Sequence, residues 1–152
     1  MEIKTFADLI EWTRQMHEHH ARCLKESAAL NSNDRISALL EYLGSHEDLL
    51  AREVAEYQSQ ADSKAMQTRL YDYGVHKPVE KNRTCDLHYN NKSFDEISRE
   101  IFAFHDRVIA LYDSLAGKAE IPEAKELAEN LKELEEHESM RMAGSIGRMQ
   151  DL

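Results

Sequence analysis

LEYLGSHE at residues 40–47 and LKELEEHE at residues 131–138 are two copies of one pattern, Leu-x-x-Leu-x-x-His-Glu. Read outward, the first belongs to a stripe of Ile36, Leu39, Leu40, Leu43, Glu47, Leu50, Val54, Tyr57 and Ala61. The second belongs to Ala124, Leu127, Leu131, Leu134, Glu138, Met142 and Ser145. Steps of three and four are the signature of a helix with one apolar face. Each stripe therefore carries a glutamate on the seam that faces the core. A charged, unpaired carboxylate there costs several kcal/mol, so it requires a metal, another cation, a proton or water.

Two further stripes supply partners. Phe6, Leu9, Ile10, Thr13, Met16, His17, His20, Leu24 and Ala28 form one, and Phe94, Ile97, Ile101, Phe104, His105, Val108, Leu111, Tyr112 and Leu115 form the other. Thr5 with Asp8, and Ser93 with Glu96, have the spacing at which cap and third helical residue bond each other's backbone N–H. Asn31-Ser32-Asn33 closes the first helix and caps the second, Gly117 stops the third, and Pro122 opens the fourth. The pattern predicts helices at about 5–30, 34–65, 93–116 and 122–146, with Gly144 and Gly147 fraying the last. These form one domain over 1–152, an all-α antiparallel four-helix bundle.

Between the second and third helices, about 66–92, periodicity disappears amid Gly74, Pro78, Asn82, Asn90 and Asn91. A connection of this length in a small domain serves a purpose, and a long crossover running the length of a bundle supplies one.

All four helices carry a histidine followed by an acid: His17-Glu18, His46-Glu47, His105-Asp106 and His137-Glu138. In a first hairpin turning at Ser32, His17 and Glu47 fall at the same level. In the second, His105 falls near Glu133 with Glu138 about a turn deeper. His17, Glu47, His105 and Glu138 are the expected metal ligands, with His20, His46 and His137 behind them. The remaining acids of 133–138 read as a solvated face, and His19, His76 and His88 as solvated. Cys85-x-x-His88 and Glu133-x-x-x-His137 have ligand spacing but no second pair.

The bundle, the crossover and the two helix-borne glutamates together resemble the ferritin-like superfamily, in particular the rubrerythrin-like four-helix proteins. That resemblance implies two iron or manganese ions held by a Glu from each of two helices and a Glu-x-x-His from each of the others, and an oxidase- or peroxidase-like activity. Glu47 and Glu138 match the family's glutamates, but Leu50 and Arg141 stand where its histidines would be. His17 and His105 stand where helices 1 and 3 would carry glutamate. A hemerythrin-like pattern would need ligands at Leu50, Ile109 and Arg141, and does not match.

Composition bounds the partners. The chain has 152 residues, 5 Gly, 2 Pro and a formal charge of −10. It has no basic block for nucleic acid, no membrane-length apolar run and no signal-like start. Cys23 and Cys85 read as reduced thiols and the location as cytoplasmic. Two functions are expected from these residues. One is a metal-handling or oxidative-stress protein holding iron, manganese or zinc. The other is a metal-free scaffold, working as a homodimer, in which Glu47 is protonated or pairs with His17, and Glu138 pairs with Arg141 or His105.

Overall fold

A computed structural model describes residues 3–70, 85 and 89–150, and every regular element among them is a helix. Four are long: α1 (Phe6–Leu30), α2 (Asp34–Gln60), α4 (Phe94–Lys118) and α5 (Pro122–Gln150); α3 (Ser63–Met66) is a single turn. Local chemistry fixes their starts. Thr5 Oγ1 accepts from Asp8 N at 3.3 Å while Asp8 Oδ2 accepts from Thr5 N at 3.2 Å, and Ser93 and Glu96 repeat the exchange at 3.2 and 3.0 Å. Asn33 Oδ1 accepts from Arg35 N and Ile36 N. Such caps satisfy orphan N–H groups and contribute about 1 kcal/mol each.

Helix ends depart from the sequence expectation in three places. The second helix stops at Gln60, because Ala61 turns extended and Asp62 Oδ1 accepts from Lys64 N at 2.7 Å to start α3. The third continues through Gly117 to Lys118. The last runs through Gly144 and Gly147 to Gln150; burial of Met142 and Ile146 offsets a glycine penalty of about 1 kcal/mol each.

The long helices pack as a bundle. Partners descend α1 as they ascend α2: Ser37 Oγ donates to Ala28 O at 2.7 Å, Glu47 meets His17, and Gln58 Nε2 donates to Glu11 Oε1 at 3.0 Å. Gly44 permits this approach, since a Cβ there would stand 3.3 Å from the Ala21 carbonyl oxygen and 2.8 Å from Lys25 Cγ.

The core has two apolar ends. One gathers Phe6, Leu9 and Ile10 of α1, Val54 of α2, Val108 and Leu111 of α4, and Leu127 and Leu131 of α5. The other gathers Leu24 and Ala28, Leu39 and Leu43, Ile97 and Ile101, and Met142 and Ile146, from the opposite halves of the same helices. Hence the chain leaves α2 at the first end and enters α4 at the second. At the first end, Phe6 N donates to Thr68 O and Leu70 N to Lys4 O, both at 2.9 Å, tying the segment after α3 to the start of α1. Most of the expected crossover, 71–84 and 86–88, lies outside the described residues, as do His76 and His88.

Its Cys85 is described, and it corrects the reading of free thiols: Cys23 and Cys85 form a disulfide, with Cα atoms 5.1 Å apart, inside the range a bridge requires. The pair is separated by 62 residues and joins α1 to the connection. Because the cytoplasmic expectation leaned on reduced cysteines, it loses that support. No helix among the described residues is long and apolar enough to cross a membrane.

Candidate metal centre

Between the two apolar ends lies a layer of charged and polar groups. His17 of α1, Glu47 of α2, His105 of α4 and Glu135 of α5 are all fully buried. Glu47 lies at its centre. Its Oε2 is 2.5 Å from His17 Nδ1, and its Oε1 is 2.5 Å from His105 Nε2. The second nitrogen of His17, Nε2, reaches Glu135 Oε1 at 2.6 Å. One ligand atom each from His17, Glu47 and His105 falls within 4.8 Å of the others, the spacing of donors able to converge on one ion.

Two atoms of this layer, His105 Nδ1 and Glu135 Oε2, are buried without a hydrogen-bond partner. One turn before His17 on α1, the buried Thr13 meets the buried Tyr112 of α4. Thr13 Oγ1 donates to Ile10 O at 2.8 Å, so in its 2.6 Å contact with Tyr112 the phenol is the donor. Burial, then the charge of Glu135, raises the Tyr112 pKa, leaving it a neutral donor.

Electrostatics bind the layer together. Burial opposes a charged His17 ring, yet the carboxylates of Glu135 and Glu47 hold its pKa up at about 10. Burial likewise opposes an ionised Glu47, and the adjacent His105 and His17 keep its pKa well below the ordinary carboxylate value. His17 is therefore an imidazolium donating through both nitrogens, and Glu47 a carboxylate accepting on both oxygens.

Among the expected ligands, His17, Glu47 and His105 come together, while Glu138 does not join them. It stands one turn beyond Glu135, with Oε2 3.2 Å from His46 Nε2 and Oε1 accepting from Arg141 Nη1 at 3.2 Å. His46 is buried, and that burial lowers its pKa. His20 is buried against Phe104, ring centroids 4.3 Å apart. His137 is exposed, away from the layer. His19, expected in solvent, is half-buried, with Nε2 3.7 Å from Cys23 Sγ.

Glu135 is the residue that the sequence reading placed on the solvated face. The buried line of α5 is Ala128, Leu131, Glu135, Glu138, Met142 and Ile146, and Leu134 is only half-buried. From Ile146, steps of four, four and three pass through Met142 and Glu138 and reach Glu135. Comparison with protein-family models, curated proteins and solved structures finds no match for this chain.

Proposed function

We propose that this chain is a metal-binding protein in which His17, Glu47 and His105 hold a divalent cation midway along an antiparallel four-helix bundle of ferritin-like type. The observation that carries this reading is the complete burial of two imidazoles and two carboxylates in one layer, with donor atoms of three of them within 4.8 Å. Removing such groups from water costs several kcal/mol per charge. A cation offsets that cost.

The opposite ends at which α2 finishes and α4 begins support the ferritin-like type. Glu135, with Oε2 unpartnered, is the candidate for a further carboxylate ligand or for orienting His17. Mixed imidazole and carboxylate donors suit iron, manganese or zinc.

Binding must be coupled to protons, because His17 is protonated and a ligating nitrogen cannot be. With its pKa near 10, His17 releases its proton on cation uptake throughout the neutral range. Affinity for zinc should rise about tenfold per pH unit between about pH 6 and 9 if one proton leaves. Calorimetric titration in buffers of different ionisation enthalpy checks this, and a heat independent of buffer, with affinity flat in pH, would contradict it.

A metal-free scaffold is favoured by one specific observation: both oxygens of Glu47 already have imidazole partners. That reading predicts a protein, acting alone or paired with a second copy, that takes up no metal in the same titration. The two readings separate there.

A further inference from the structure

The donor atoms of the layer are sealed from solvent, so a cation reaches them only through the bundle wall. An ion crosses such a wall where polar groups replace its lost water. One set of polar groups lies between α2 and α5. Glu138, one turn after Glu135 on the same face of α5, is 3% exposed. Its Oε2 lies 3.2 Å from His46 Nε2 yet accepts no hydrogen bond, and His46 Nδ1 also lacks a partner. His46 directly precedes Glu47 in the chain. On the outer side, Glu138 Oε1 accepts from Arg141, whose side chain is 62% exposed. Glu53, also on α2, adds a further shielded oxygen without a partner. The α1 side offers a worse route, because His20 packs against the Phe104 ring.

We propose that Glu138 and His46 form a transfer site that takes a divalent metal cation from solvent and hands it to the buried layer, with Arg141 as the counter-charge that the cation displaces. The inference rests on the metal-binding reading above. Glu138 suits this role because it has one oxygen toward Arg141 and the surface and one toward His46 and the interior. An arriving cation competes with the guanidinium for the same carboxylate, and the pair of charges at the mouth exchanges without leaving either one bare.

Stopped-flow mixing of the metal-free full chain with cobalt(II), followed by its visible absorption, tests the proposal. Glu138→Gln should slow loading by about tenfold, equivalent to about 1.4 kcal/mol of barrier. Arg141→Met should speed it by about twofold, the scale of an exposed ion pair, with the same final absorbance as wild type. Wild-type loading rates in both variants overturn the transfer site alone. Absence of cobalt uptake by the wild-type chain overturns the transfer site together with the buried site it serves. Should Glu138→Gln fail to fold, the exposed Arg141 variant still decides: an unchanged rate there counts against the proposal.

Discussion

Glu47→Gln should bind no stoichiometric metal while remaining helical. The amide keeps the shape of the side chain but loses the charge, and with it the one group that touches both His17 and His105. Metal-free stability should fall by about 3 kcal/mol, the scale of removing one partner from a buried ion pair, because the His17 imidazolium then faces Glu135 alone. Glu136→Gln, on the outer face of the same layer's helix, is the matched control and should change neither quantity. Calorimetric metal titration and urea unfolding read the two effects. Retention of wild-type metal binding by Glu47→Gln would remove Glu47 from the site.

The second large effect concerns the Cys23–Cys85 bridge. Closing a loop between residues 62 apart restricts the unfolded chain by about 4 kcal/mol on the loop-entropy estimate. Reduction, or Cys23→Ser, should lower the urea midpoint accordingly while α1 keeps its caps and its place on α2. Identical midpoints with and without reductant would show that the bridge contributes nothing to stability. Because Cys23 lies on α1 six residues beyond His17, the same experiment shows whether the connection helps hold that helix against the layer.

What was legible in the sequence was local or periodic. The Thr5–Asp8 and Ser93–Glu96 exchanges are fixed by three-residue spacings, and the structure contains both. Glu47 stood out because leucines flank it at helical steps, and its pairing with His17 followed from equal distances to the turn at Ser32. The end of α2 was harder to read, since the extended Ala61 and the Asp62 cap interrupt a stripe that the apolar residues alone would continue.

Long-range facts were only partly legible. His105 is expected in one site with Glu47 and meets it across the bundle, although counting along its own hairpin points first to α5. Glu135 was hidden in a run of acids, where charge composition suggested solvent and Leu134 drew the apolar line one residue off. The disulfide joins a helix to a polar connection with no spacing motif, and only the fold brings those two Cα atoms within reach. In each case the deciding term was tertiary: which face of a helix another helix covers, rather than which residues the helix contains.

The most direct test of the central claim is elemental analysis of tag-free protein purified without chelator, alongside metal-free protein reconstituted anaerobically with ferrous iron. A buried site formed by His17, Glu47 and His105 predicts stoichiometric metal in the wild type, lost in both the His17→Ala and Glu47→Gln variants. A wild-type chain that is metal-free as purified and refuses iron on reconstitution would contradict it, and would leave the layer as a self-paired polar core.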